Sequence, residues 1–231
     1  MRISLVIALC SLLASCLKNT DSFDKGPKAE MVIINYVVNN ASFEYAFANL
    51  NITSVPVPFG SATSLPGALY TKYAAGTHEI RFSSGNNSTN HLVSLIAGKK
   101  YSLFIYDTLR NSGVRKLLLQ DEILPVDTIA KGRFLQFVPG NDSLTIVFTK
   151  SNDSLALDQP YIGNLAITGS IIDFTIQFPP GVYEVKLKRK SRLLYQASFI
   201  LLPGKVYSFI SKGLVNGTGL YKETLTLLQH N

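Results

Sequence analysis

Three histidines, His78, His91 and His230, are the whole imidazole complement of the 231-residue chain. No two of them stand at the spacing that lets side chains share a metal ion. His78 falls on the inward side of a strand pattern, where a packed, hydrogen-bonded ring is expected; His91 opens another strand, and His230 is one residue from the end. Acidic residues are sparse, 15 in all. The stretch from Asn152-Asp153 to Asp158 has a passing likeness to a calcium loop, but it lacks the ligand spacing and central glycine of an EF-hand, so a solvated loop is expected. Glu79 and Glu184 occupy matching places in two repeated segments, and sequence proximity does not pair them as a glycosidase dyad. Each is expected to face water or to meet a cation across a strand. Neither a phosphate-cradling loop nor a dinucleotide fingerprint is present. The chain therefore reads as a non-enzyme, with no catalytic residue, no metal site and no cofactor expected.

The two cysteines, Cys10 and Cys16, carry a different chemistry. Arg2 precedes an apolar stretch from Ile3 to Leu13, too short for a permanent membrane span, which needs about 20 apolar residues. It ends in Leu13-Ala14-Ser15-Cys16, which resembles the bacterial lipobox: Leu, two small residues, and the cysteine that is acylated before cleavage. Residues 1–15 are thus expected to be a lipoprotein signal peptide. Residues 16–30 are expected to be a lipidated Cys16 and a flexible polar tether. The expected partner is a membrane, reached through the lipid, and the expected location is the cell envelope, in the outer membrane. The remaining chain has no cysteine, so it has neither an internal disulfide nor a thiolate nucleophile.

The net charge is +7. Its densest run is Lys186, Lys188, Arg189, Lys190 and Arg192, expected at the tip of a hairpin. Such a tip either grips an anionic surface or is a charged edge that discourages aggregation. The matching stretch of the other repeat, Ser83-Ser84-Gly85-Asn86-Asn87-Ser88, is uncharged. No nucleic-acid partner is expected. The chain has 11 Tyr, 13 Phe and no Trp, which weakens a sugar-stacking reading because Trp is the best stacking platform.

These residues must be carried by strands. Ala75-Gly76-Thr77-His78-Glu79-Ile80-Arg81-Phe82 matches Pro180-Gly181-Val182-Tyr183-Glu184-Val185-Lys186-Leu187. Ala97-Gly98-Lys99-Lys100-Tyr101-Ser102 matches Pro203-Gly204-Lys205-Val206-Tyr207-Ser208. By the same reading Val114-Arg115-Lys116-Leu117 falls opposite Leu220-Tyr221-Lys222-Glu223. Repeat one is expected over 31–124 and repeat two over 127–231, with Pro125 at the join. Tyr183, Val185 and Leu187 alternate with Glu184, Lys186 and Lys188, the period-two pattern of a half-buried strand. Further strands are expected at Val32–Val38, Phe43–Phe47, His91–Ile96, Tyr101–Tyr106, Phe134–Phe137, Leu144–Thr149, Ile171–Phe178, Leu193–Leu201 and Val206–Ser211. Each Gly-Lys-x-Tyr is expected to turn tightly at the glycine and to bury the tyrosine ring, with its hydroxyl bonded to nearby backbone, as in a tyrosine corner. The fold class expected is all-β: two tandem immunoglobulin-like β-sandwich domains, each owning its core, after an N-terminal lipoprotein signal peptide.

The two landmarks, together with Arg133-Phe134-Leu135-Gln136-Phe137-Val138-Pro139, resemble the Bacteroidota lipoproteins that carry tandem copies of the domain of unknown function 4397. Repeat one departs at Asn35-Tyr36-Val37-Val38-Asn39, which lacks the proline, and Val55–Gly67 and Ser151–Gly163 read as insertions. The resemblance implies an immunoglobulin-like, extracytoplasmic lipoprotein and no known activity. Four segments also fit Asp-Ser/Thr-aliphatic, which looks like an O-glycosylation signal of exported proteins in that group, placing sugars on Thr108, Thr128, Ser143 and Ser154; the same residues are ordinary turn formers. The expected function is a non-catalytic surface adhesion or assembly module. The alternative is a glycan- or ligand-binding accessory lipoprotein of an envelope uptake system, and either reading leaves a glycan or an envelope protein as a partner.

Overall fold

The computed structural model describes residues 26–40, 42–47, 56–63, 68–108, 114–121, 128–140, 142–165 and 172–230. Most of them are strand, and the rest are turns and short connections. The first half contains β1 (Lys28–Val38), β2 (Ser42–Phe47), β3 (Val57–Pro58), β4 (Thr71–Ala74), β5 (Gly76–Ser84), β6 (Asn87–Leu95), β7 (Lys100–Thr108) and β8 (Arg115–Asp121). The second half repeats them as β9 (Ala130–Gln136), β10 (Leu144–Lys150), β11 (Asp153–Gln159), β12 (Ile176–Phe178), β13 (Gly181–Arg189), β14 (Arg192–Leu201), β15 (Val206–Lys212) and β16 (Thr224–Gln229). The sheet orders are β4-β1-β7-β8 and β3-β2-β5-β6, then β12-β9-β15-β16 and β11-β10-β13-β14. The match extends to register: β1 runs parallel to β7 and β9 parallel to β15, with the other pairings antiparallel.

Alternation builds a core inside each sandwich. Met31, Ile33, Phe43, Phe47, Ile80, Phe82, Val93, Leu103 and Ile105 fill the first. Phe134, Ile146, Phe148, Phe178, Val185, Leu187 and Phe209 fill the second. A third core lies between the halves. Val32, Ile34 and Tyr36, the alternate residues of β1, pack with Phe104, Tyr106, Leu117 and Leu119 against Leu135, Phe137, Tyr161, Ile162 and Ile210. The sheets containing β1 and β9 thus face each other, and the molecule is a stack of four sheets. Like ends lie together, since Tyr36 meets Phe137 at 5.5 Å between ring centroids and the starts of β1 and β9 share a polar cluster described below.

Both tyrosine corners form. The Ile96 amide donates to the Tyr101 hydroxyl at 3.1 Å, and the Leu202 amide to the Tyr207 hydroxyl at 3.0 Å. Gly98 and Gly204 hold φ of 74° and 67° in the preceding turns, a conformation that costs glycine little. His78 is packed as expected, its Nε2–H donating to the Ala74 carbonyl at 2.7 Å; at the matching place the Tyr183 hydroxyl donates to Pro179 at 2.8 Å.

Four local readings are corrected. β1 begins at Lys28, so residues 28–30 of the expected tether are strand, held by pairing with β4 and by the Gly98 amide on the Lys28 carbonyl. The solvated loop and insertion expected at 151–163 contains edge strand β11, reached through a tight turn at Ser151 with φ 53°. Ile171–Phe178 shrinks to β12, because residues 172–174 turn aside to meet Arg133 through the Ile172 carbonyl and the Phe174 ring. Last, Tyr106 pairs with Arg115 but Lys212 with Thr224. Arg115 therefore corresponds to Thr224 rather than to Tyr221, the connection before β16 being longer and containing a 3-10 turn at Gly219–Tyr221.

Candidate functional site

A group of buried charged and hydroxyl side chains converges where the two halves meet. Ser102 on β7 and Ser208 on β15 are matching residues, both fully buried. Asp121 closes β8 opposite Lys100. His230 closes β16 in the matching place, its amide donating to the Val206 carbonyl at 2.9 Å. Arg133 lies on β9 beside Ser208, and Tyr70 enters just before β4. Asp121, Arg133 and His230 are 3%, 2% and 2% exposed, and the two halves of the chain each contribute to the cluster.

The hydrogen bonds run in one direction. Arg133 Nε donates to Ser208 Oγ at 2.7 Å; because Tyr70 gives its one proton to Asp121, the neutral His230 ring must donate to Tyr70 from Nδ1, and the Ser208 hydroxyl donates to His230 Nε2 at 2.7 Å. Nε2 is then an acceptor and the proton sits on Nδ1, which donates to the Tyr70 oxygen at 2.7 Å. The Tyr70 hydroxyl donates to Asp121 Oδ2 at 2.9 Å. Ser102 Oγ donates to the same oxygen at 2.7 Å, and Arg133 Nη2 closes the ring on Oδ1 at 2.6 Å. The guanidinium also lies 4.1 Å from the Phe174 ring centroid. One assignment of protons satisfies every member, which is the condition for a buried polar network to stabilise rather than cost.

Burial by itself would raise the Asp121 carboxyl. The contacts of His230, the Arg133 charge and the Ser102 hydroxyl outweigh it and hold the carboxyl at about 2. Burial lowers His230, so the ring is neutral at pH 7 and Arg133 is the charge that keeps Asp121 ionised. Burial raises Tyr70, and the neighbouring Asp121 raises it further. A histidine lowered below its ordinary 6.5 leaves the folded chain short of a proton that the unfolded chain binds. Stability is therefore full above pH 6.5 and declines as pH falls below it. Asp121 adds a second loss between 3.8 and about 2. Thermal melts at pH 7.5 and 5 are expected to show a lower Tm at pH 5, with a smaller drop in His230→Gln. His91, also lowered by burial, keeps its share in both proteins, so parallel drops would refute a neutral buried His230.

Ser208, His230 and Asp121 stand in the order of a nucleophilic triad, with His230 Nδ1 3.5 Å from Asp121 Oδ2. The surroundings do not suit acyl transfer. Ser208 has no exposed surface, and its oxygen already accepts a hydrogen bond from the Arg133 guanidinium, which lowers its nucleophilicity. A cleft of about 400 Å³ beside the cluster is lined by Glu30, Leu69, Tyr70, Lys100, Gln229 and His230, and does not reach Ser208. A substrate carbonyl has no position within reach of both oxygen and base. The arrangement clasps the two halves.

The residues singled out from sequence lie elsewhere. Cys16 is outside the described residues. The basic run does form the β13–β14 hairpin, with Lys190 at its turn and φ 54°. Arg189 is largely buried and ion-paired with Glu223, with Asp142 at 3.6 Å. Lys186 meets Glu184 at 2.7 Å, Lys190 meets Asp142 at 3.6 Å, and Arg192 donates to Asn216 at 3.2 Å. Lys188 is half-buried on β13. Ser143, Ser154 and Thr128 are exposed and Thr108 is half-buried. Glu79 and Glu184 lie on separate outer sheets. Among the described residues no three His, Cys, Asp or Glu side chains gather to hold a metal ion.

No family model and no curated protein matches this chain.

Proposed function

We propose that the protein is a non-catalytic, lipid-anchored module of the cell envelope that works by adhesion or assembly through its outer strand edges. The observation that supports this reading is a pair of matching edge strands. β6 and β14 end the two outer sheets, are nine and ten residues long, and carry exposed apolar side chains, among them Leu92 at 64% and Leu193 at 49%. Edge strands present unpaired backbone donors and acceptors and are templates for a further strand. The second reading, capture of a glycan or other ligand, has less support, because the clustered polar groups are spent on one another. The Cys16 anchor holds the module at the membrane, and acylation by more than one chain makes such attachment stable.

The reading is tested in cells by fatty-acid labelling and cross-linking. The parent is expected to incorporate label and to float with membranes, and Cys16→Ala is expected to do neither. Leu92→Lys with Ser198→Lys places one charge on each edge strand at matching register positions. This pair is expected to abolish the parent's cross-linked adducts without lowering Tm, since exposed charges contribute little to stability. Adducts unchanged in the pair would refute assembly through these edges.

A further inference from the structure

We propose that the end of the molecule where β1 begins is a membrane-docking face that rests on anionic lipid headgroups, with Ile96 and the Val182–Ile200–Leu202 patch set into the interface. The orientation rests on the reading that Cys16 is the anchor, and the chemistry of the face stands apart from it.

Both Gly-Lys turns lie at this end. The Gly98 amide is bonded to the Lys28 carbonyl and the Gly204 amide to the Ile129 carbonyl, which places each turn beside the start of β1 or β9. The polar clasp holds the two starts side by side through the Arg133–Asp121 and Tyr70–His230 bonds. Immediately before each turn an apolar side chain stands in water: Ile96 at 61% and Leu202 at 47%. These are matching residues, the two whose amides cap the tyrosine corners. Their backbones are thus fixed while their side chains point outward. In the second half Val182 at 58% and Ile200 at 65% are cross-strand partners one position inward from that end, and extend the apolar surface. Exposing an apolar residue at the same place in both copies has no use in folding, since neither joins a core.

Lysines accompany these tips. Lys99 is exposed in the first turn and Lys205 half-exposed in the second, and Lys72 is exposed on β4 beside the β1 start. Glu30 at this end is taken up by Lys100 at 3.6 Å, and Asp121 is buried in the clasp. Apolar tips ringed by lysine suit a surface that is anionic outside and apolar beneath. The first described residues, from Gly26, enter at this same end. Nine residues lie between Cys16 and Gly26, a reach of at most roughly 35 Å when extended. A lipid on Cys16 therefore brings this end, and not the Lys190 hairpin at the opposite end, to the bilayer.

The absence of Trp from the sequence makes single-tryptophan reporters unambiguous. Ile96→Trp, Leu202→Trp and a control at the far end, Leu220→Trp, are prepared in the full chain processed in its host. Each is mixed with vesicles of phosphatidylcholine alone or with phosphatidylglycerol, with and without brominated acyl chains. The first two reporters are expected to shift to the blue and to be quenched by bromolipid in the anionic vesicles, and the control is expected to do neither. Lys99→Ser with Lys205→Ser should reduce the docked-to-undocked ratio about thirtyfold, from about 1 kcal/mol for each lysine near an anionic surface. Flotation on phosphatidylcholine alone reports the anchor. Protein that floats there while all three reporters behave alike on anionic vesicles overturns docking and leaves the anchor intact. Reporters that respond on anionic vesicles without flotation on neutral ones overturn the anchor and leave the docking face standing.

Discussion

Replacing Arg133 with Met is expected to destabilise the protein by about 3–5 kcal/mol, the usual consequence of removing one partner from a buried ion pair. Arg133 is 2% exposed and gives hydrogen bonds to Asp121, Ser208 and the Ile172 carbonyl. Its loss strands the Asp121 carboxylate in a buried site, and removes the donor to the Ser208 oxygen. Asp121→Leu alone should cost a similar amount, since it leaves the guanidinium uncompensated. The double variant should cost less than the sum, because an apolar pair of similar volume often replaces a buried ion pair at little loss. It should not recover fully, because Ser102 and Tyr70 still lose an acceptor. Urea melts of the four proteins give the coupling energy directly. A single-variant loss below about 1 kcal/mol, the range of exposed pairs, would mean that water enters the cluster and that it is no clasp.

The clasp was not legible in the sequence, and the reason is physical. Its members lie far apart in the chain and meet only through strand register, which a period-two pattern leaves undetermined. His230 gave no signal of its own beyond its place near the end. Arg133 did give one: it directly precedes the run Phe134-Leu135-Gln136-Phe137-Val138, and a cation drawn into a strand that apolar must have a partner there. Leu144–Lys150 and Gly181–Arg189 were legible because one face is wet and the alternation is plain. β11 was missed because its side chains are nearly all exposed and Asn152-Asp153 resembles a loop. The third core also left a trace. Val32–Val38 and Tyr101–Tyr106 are apolar runs broken only by Asn35 and Ser102, and near-continuous runs of this kind mark strands covered on both faces. Reading them as ordinary strands yields two sandwiches and no interface. The tyrosine corners, by contrast, depend only on a glycine and a tyrosine three residues apart in the same turn, and local geometry of that kind is written in the sequence.

Phe137→Ala is the counterpart of the clasp at the opposite end of the interface, and it is expected to cost about 3–5 kcal/mol, the range for removing a buried Phe side chain. Phe137 belongs to the second half and has no exposed surface. Its ring lies 5.5 Å from that of Tyr36, 5.1 Å from Phe104 and 5.0 Å from Tyr106, all in the first half. The loss therefore falls on the contact between the halves and not on either inner core. If the third core makes one cooperative unit of the stack, the melting transition of the variant should move down as a whole. By about 2–4 °C for each kcal/mol in a chain of this size, a shift of roughly 10 °C is expected. Sequence alone favours a fragment from Asp127 to Asn231 that folds by itself. The structure adds that such a fragment would leave Leu135, Phe137, Ile162 and Ile210 uncovered. Patches of this kind are rarely left open on soluble monomers, so the fragment is expected to keep its strands and to self-associate. Sedimentation of the fragment, set beside calorimetry of Phe137→Ala, separates the two cases. A monomeric fragment together with a variant that melts in two resolved steps would mean that the sandwiches are independent units that only touch.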